Sequence, residues 1–405
     1  MEWVSAVSGT TDSGQAAEEV AREIHEQLAG QRADLAVLFV SGEHADGEQE
    51  ICDAVLEKVS PRVLIGCSAG GVIGDGREIE DRPGVSLTAA HLPGVELTTF
   101  HLRAAETPGA AAPADRWREA LRLAADRDPA AFLILADPLS FRSEPLLEAL
   151  DRHYPWARKI GGLASGRQGG PGNTLLLGDR RLDGGAIGVA LSGRIEVDTV
   201  VAQGCRPIGE PMVVTGARGS LLLHLDGRSL VTVLRDLYES LGEEDQKLFR
   251  HSLFLGIGMR DDLADYGPGD FLVRNVAGID PQSEGLVVGA ELREHQVVQF
   301  HLRDASAADQ DLEDCLARAA SLASAARPEG ALLFSCLGRG MHLFGYPDHD
   351  TDSFRKHFGP VPLGGFFCNG EIGPVMGRTF LHGYTSSFGL FRTPPERSLG
   401  DEIEI

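Results

Sequence analysis

Three stretches of this chain repeat one local pattern, and the repetition restricts its fold more than any other feature. LIGCSAGGVIG from Leu64, KIGGLASGRQGG from Lys159 and PLGGFFCNGEIG from Pro362 each run from an apolar segment into a glycine-rich bend. Apolar strands and helices precede them: DLAVLFV from Asp34 with EQEICDAVLEKV, and AAFLILAD from Ala130 with SEPLLEALDRHY. Short apolar runs bounded by glycine read as buried strands, and apolar residues at helical spacing read as helices packed on them. A unit recurring in this way points to internal duplication. The unit is strand, helix, strand, glycine bend, strand, strand. Copies are expected over 34–103, 130–215, 250–303 and 330–392, the third being the most degraded. LTTFHLR and VVQFHLR, whose phenylalanines are Phe100 and Phe300, support the same view. Each precedes a helical stretch, Asp115 to Arg127 and Asp309 to Arg327, and then an apolar strand.

The fold class expected is α/β, with two internally duplicated domains of mixed β-sheets and helices packed outside. The boundaries are placed at 34–215 and 216–392, followed by an acidic tail over 393–405. The join falls in VTGARGSLLLHLDGRSL, Val214 to Leu230, where strand alternation gives way to a glycine turn and a helix. Ala104 to Ala114 reads as a flexible connector. The segment before Asp34 is expected to hold one amphipathic helix, AAEEVAREIHEQL.

Charge narrows the partners. The formal net charge of -23 repels phosphate backbones and anionic lipid headgroups, so neither nucleic acid nor a membrane surface is expected. No apolar run approaches the ~20 residues that span a bilayer, and the acidic N-terminus lacks a basic region before a hydrophobic run. Cytoplasmic residence follows. Six cysteines show neither CxxC pairs nor metal-ligand spacing and read as reduced thiols; neither metal nor cofactor is expected.

The block PLGGFFCNGEIGPV with LHGYTSSFGLF, together with LIGCSAGG, GLASG, LDGRSL and SCLGRG in order, resembles the FIST family. This is the sensory module named for F-box and intracellular signal transduction proteins. The resemblance runs from about Asp34 to Arg392, a FIST N-terminal domain followed by a FIST C-terminal domain, and NGEIG is similar to the F-box branch. It implies sensing of a small molecule, an amino acid or related metabolite, passed on to a protein partner. With no output segment recognised in the sequence, that partner is expected to act in trans.

Within that block the candidate ligand residues are Arg339, Glu371, Asn369, Phe366, Phe367, Cys336 and Cys368, with Cys67 and Ser68 from the first bend. Arg339 sits between glycines after an apolar strand, where a guanidinium can clamp a carboxylate bidentately. Glu371 would receive an ammonium group. The two are expected to face each other across an open pocket rather than to close as an ion pair. The competing accounts are an Arg339–Glu371 pair and a Glu371 that caps backbone N–H groups. Cys336 or Cys368 as a nucleophile would need a base such as His342 or His382 and a lowered thiol pKa. In the HDTD run, an oxygen-rich cation site competes with a helix capped by Asp350 or Thr351. Three function classes remain: a small-molecule sensor, a protein-interaction scaffold without small ligand, and a thiol-dependent enzyme.

Overall fold

A computed structural model of the chain describes residues 1–166, 173–260, 266–267, 269–322 and 327–395. Most of the expected tail lies outside the described residues. The chain forms two compact units: Met1–Val201 with Glu313–Leu381 and Thr385–Ile405, and Ala202–Leu312 with His382–Tyr384.

In the first unit the repeated element is visible three times. The first copy runs β1 (Glu2–Ser8), α1 (Ser13–Gln27), β2 (Leu35–Ser41), α2 (Glu48–Val59), β3 (Val63–Ala69), a hairpin of β4 (Gly71–Gly74) and β5 (Arg77–Glu80), and β6 (Val85–His91). The second runs β7 (Val95–Leu102), α3 (Ala114–Ala120), β8 (Ala131–Ala136), α4 (Glu144–His153), β9 (Arg158–Leu163), the hairpin β10 (Leu175–Leu177) and β11 (Arg180–Leu182), and β12 (Ala186–Gly193). The third opens with β13 (Glu196–Gln203), after which the chain builds the second unit.

That unit comprises β14 (Cys205–Arg218), β15 (Leu221–Leu225), β16 (Arg228–Ser229), α5 (Leu230–Ser240), α6 (Glu243–His251), β17 (Leu253–Gly258), β18 (Phe271–Ile279), β19 (Leu286–Val288) and β20 (Val297–Arg303). Its sheet order is β14-β20-β17-β18-β19-β15-β16, and β14 also pairs with β15, so the strands close into a ring around Val214, Leu222, Leu255 and Phe300. The third copy resumes through α7 (Ala305–Leu322), β21 (Gly330–Cys336), the short α8 (Met341–Phe344), α9 (His349–Phe358), β22 (Leu363–Cys368), the hairpin β23 (Glu371–Val375) and β24 (Arg378–His382), and β25 (Thr385–Arg392).

The three six-stranded sheets share one order: β1-β6-β2-β3-β10-β11, β7-β12-β8-β9-β23-β24 and β13-β25-β21-β22-β4-β5. Each holds one parallel pair bridged by a helix, β2 with β3, β8 with β9, and β21 with β22. The hairpins are exchanged in a cycle. The first copy's hairpin extends the third copy's sheet, the second copy's extends the first, and the third copy's extends the second. One face of every sheet enters a common core containing Phe39, Ile65, Leu133, Ile160, Phe334 and Phe366. Helices cover the opposite faces, as with α1 and α2 over the first sheet and α3 and α4 over the second. Burial on both faces explains why AFLILA is apolar throughout and LAVLFVS is apolar up to its final Ser41.

The glycines of the three bends have a shared cause. Gly66, Gly161 and Gly365 sit opposite Leu38, Ile134 and Leu333 in the parallel pairs. At each, a Cβ would run into the carbonyl oxygen of that opposite residue. Close strand approach within one copy demands glycine at these three, while Gly70, Gly166 and Gly364 face other copies, where a Cβ would meet Leu337, Ser68 and Thr88.

Several expectations are corrected. The N-terminal MEWVSAVS is a strand paired with β6, not merely the lead-in to a helix. No strand–helix–parallel strand occurs over the described part of 250–303; β17, β18 and β20 are antiparallel, so the copy expected there, third of the four, is not of the repeated type. Phe100 lies on an edge strand and Phe300 on an interior strand of a different sheet, and the FHLR echo does not mark equivalent positions. The helix expected from Asp115 to Arg127 stops at Ala120, followed by Arg122 in the left-handed region at φ 57.

Candidate functional site

The parallel strands β21 and β22 end beside each other, and the chain leaving β21 must turn over that edge before entering α9. The turn delivers Arg339, and the first turn of α9 delivers Asp350, both removed from solvent. Arg339 Nε donates to Asp350 Oδ2 at 2.9 Å and Nη2 to Oδ1 at 2.9 Å, a parallel two-bond fork. Ser335 Oγ donates to the same carboxylate at 3.1 Å, His349 Nδ1 at 2.9 Å, and Ser386 Oγ completes the set. Phe344 stacks on the His349 ring at 3.3 Å and lies 5.3 Å from the Arg339 guanidinium carbon.

The exchanged hairpin of the first copy brings two more carboxyl groups. Glu78 Oε1 accepts the Thr351 N–H at 3.0 Å, and its own N–H donates to Asp348 Oδ1 at 2.6 Å. Glu80 Oε1 accepts the Met341 N–H at 2.9 Å, which ties down the segment carrying Arg339. Burial by itself would push Asp350 up, but the Arg339 guanidinium and the donated hydrogen bonds hold it well below the usual carboxylate range. Glu78 goes the other way: burial, then the charge of Asp350, pushes it up to about 8. One arginine therefore faces two acids, and the second keeps its proton near neutrality. Glu78 Oε2 and Arg339 Nη1 are shielded from solvent and have no hydrogen-bond partner among the described residues.

The predicted residues are scattered around this cluster. Arg339 is in it, but closed on Asp350, so the open clamp with Glu371 is corrected; so is the alternative Arg339–Glu371 pair. Glu371 is buried, and its Oε2 accepts Thr385 N and Oγ1 at 3.1 and 2.8 Å while Oε1 accepts the Cys368 thiol at 3.5 Å. Burial pushes Glu371 up to about 7. Burial, followed by the Glu371 charge, raises Cys368 well above an ordinary thiol, the opposite of what a nucleophile needs. Cys336, at the end of β21, accepts the Arg339 N–H through its carbonyl at 2.8 Å. Phe366 is in the central core, stacked on Phe39 at 4.4 Å, and Cys67 is in the same core. Phe367 is buried and its carbonyl accepts Ser165 Oγ at 2.5 Å. Ser68 belongs to another network, accepting Thr174 N at 3.0 Å. Asn369 is exposed.

The HDTD run divides. Asp348, at φ 65, occupies the cap position of α9, while Asp350 is inside the helix as the arginine's partner, correcting the cap assignment to Asp350 or Thr351. Among the described residues, no group of three His, Cys, Asp or Glu side chains is arranged to hold a metal ion. The residues missed by sequence reasoning are Glu78, Glu80 and Phe344, while His349, read within the HDTD run, donates to Asp350. Only hairpin exchange brings REIE, some 270 positions upstream, onto α9.

Comparison with known proteins identifies the family. The FIST N domain matches residues 34–228 and the FIST C domain residues 231–374. The chain belongs to the FIST family. It is 41% identical to an uncharacterized Mycobacterium tuberculosis protein over 386 residues, 95% of this chain and 98% of that protein. An uncharacterized Mycobacterium bovis protein is 40% identical over 387 residues, 95% of this chain and 97% of its own length. An F-box/LRR-repeat protein of Arabidopsis thaliana is 26% identical over 307 residues, 64% of this chain and 57% of the plant protein. The change from FIST N to FIST C falls inside the second compact unit, between β16 and the body of α5. No helix among the described residues is long and apolar enough to cross a membrane.

Proposed function

We propose that this FIST protein is a cytoplasmic sensor that binds a small zwitterionic metabolite, an amino acid or close relative, at the Arg339–Glu78 cluster and signals through a protein partner in trans. The observation carrying this reading is the pair of shielded, unpartnered atoms: a guanidinium N–H donor on Arg339 and a carboxyl oxygen on Glu78. A polar atom buried without a partner costs about 1–3 kcal/mol, which a ligand supplying the partner would recover. A carboxylate on Arg339 Nη1 and an ammonium on Glu78 Oε2 fit that need. Entry requires movement of the turn between β21 and α9, whose positive-φ residues are Gly340, Gly345 and Asp348. The same turn exposes Met341 and Tyr346, the surface from which a bound state would be read by a partner.

The ammonium would displace the Glu78 proton, so binding releases a proton and tightens as pH rises toward 8. A thermal-shift series over amino acids and organic acids tests this, since a ligand at 100 times its Kd adds about 2.7 kcal/mol. Stabilisation by an amino acid, lost in Glu78→Gln and absent with the deaminated acid, supports the reading. If no amino acid stabilises the protein, or if Glu78→Gln responds like the parent, the reading fails. Exposed Met341 and Tyr346 also favour the scaffold alternative, which predicts partner binding indifferent to any amino acid.

A further inference from the structure

A second crevice, in the second copy, has a different character. It lies outside the carboxyl end of β8, the side of a parallel pair where α/β proteins bind ligands. His101, Arg103, Ser140, Arg181, Asp183 and Gly185 are among its lining residues, around a cavity of about 410 Å³. That volume suits a small metabolite. His101 is near the end of β7 and Arg103 follows in extended backbone at φ -93, ψ 148, so the two side chains leave the same side of the strand. Arg181 arrives from the exchanged hairpin.

The floor is fixed. Ser140 Oγ donates to Asp137 Oδ2 at 2.6 Å and accepts the Gly185 N–H at 2.9 Å; Asp137 Oδ1 is held by Asn173 Nδ2 at 3.1 Å. The glycines there are explained by packing, because a Cβ on Gly185 would strike the Leu102 carbonyl oxygen. The charges are not explained in this way. Two guanidiniums and an imidazole face one carboxylate, Asp183, on a chain whose net charge is -23. Arg181 is partly committed to Glu48, at 3.2 Å. The Arg103 guanidinium is exposed and has no hydrogen-bond or ion-pair partner among the described residues. His101 Nε2 donates to the Gly184 carbonyl at 3.1 Å, so Nδ1 is placed to donate to an anion when the ring is protonated.

We infer that this crevice is a binding site for a small oxyanion-bearing metabolite, gripped by Arg103 with support from Arg181 and His101. A carboxylate or phosphate matches the guanidinium fork of Arg103, and within the lining itself two guanidiniums stand against the single carboxylate of Asp183. This inference does not depend on the Arg339 cluster, which shares none of these residues.

The test is a titration of the full chain with glycerol 3-phosphate, inorganic phosphate and succinate, each against sodium chloride at matched ionic strength, read by thermal shift and calorimetry. Saturable stabilisation by a phosphate or a dicarboxylate, with Kd rising about tenfold or more in Arg103→Ala and largely restored in Arg103→Lys, supports the site. The stronger of the two arms identifies the anion class. Arg103→Ala should melt like the parent without ligand, because its guanidinium packs against no partner. Absence of saturable stabilisation by all three anions overturns the inference. Equal affinity in the parent, Arg103→Ala and Arg103→Glu overturns it as well.

Discussion

Arg181 and Glu78 occupy the same place in two copies of one design. Arg181 pairs across its hairpin with Leu176, which lies opposite Gly66; Glu78 pairs with Ile73, which lies opposite Gly365. Both side chains therefore come from an exchanged hairpin toward a buried acid in the first turn of a helix, Glu48 in one copy and Asp350 in the other. In the first copy the hairpin supplies a cation, and the acid is paired at 3.2 Å. In the third copy the acid is already paired with Arg339 from its own copy, and the hairpin supplies a second acid. The first arrangement is electrostatically closed. The second sets two acids against one arginine, so the same hairpin register gives a one-to-one ion pair in one place and a cluster with a surplus acid in the other.

The largest effect should come from removing the arginine that balances the third copy. Arg339→Ala leaves Asp350 buried and unpaired and should lower unfolding free energy by about 3–5 kcal/mol in urea titrations. A loss below about 1 kcal/mol would show that the pair is not closed in solution.

Protonation of Glu78 gives the next effect. A carboxyl at about 8 in the fold and at its ordinary 4.5 when unfolded binds its proton more tightly in the folded state. Stability should fall as pH rises through that window, with Glu371, at about 7, acting in the same direction. At about 1.4 kcal/mol per pH unit the Glu78 contribution is on the order of a few kcal/mol. Glu78→Gln should flatten the profile and be more stable than the parent at pH 9; an unchanged slope between pH 5 and 8 would show that Glu78 ionises normally. Asp350 works in the opposite sense, its contribution being lost on acidification below the ordinary carboxylate range.

Arg181→Met breaks the closed pair of the first copy. Glu48 is 1% exposed but Arg181 retains contact with water, so the expected loss is roughly 1–3 kcal/mol, less than for Arg339→Ala. Equal losses in the two variants would erase the distinction drawn between the copies. Asn369→Ala should be the smallest change, within about 0.5 kcal/mol and without effect on amino-acid binding, because the side chain is exposed. A measurable loss of binding in that variant would return Asn369 to the site.

Local patterns were legible in the residues themselves. Strand, helix and glycine-bearing strand could be read in each copy because burial on both sheet faces and close backbone approach each impose a composition. Arg339 stood out for a similar reason, as a cation at a strand end between glycines. Its partner did not: Asp350 looks like a helix cap until the left-handed Asp348 is seen to take that place. Phe366 and Cys67 were drawn toward the site by proximity to the bends, yet alternation along their strands turns both into the core.

Sequence alone determined the repeated unit, its α/β class and the family to which the chain belongs, since each rests on short-range periodicity and motif order. Tertiary structure decided which sheet each hairpin joins and where the second unit interrupts the third copy. A hairpin can satisfy its backbone hydrogen bonds on any open sheet edge, so nothing local names that edge; burial of the whole unit selects it. That selection sets Glu78 beside Asp350 and Arg181 beside Glu48, and with it the difference between an acid held against a second acid and an acid held against a cation.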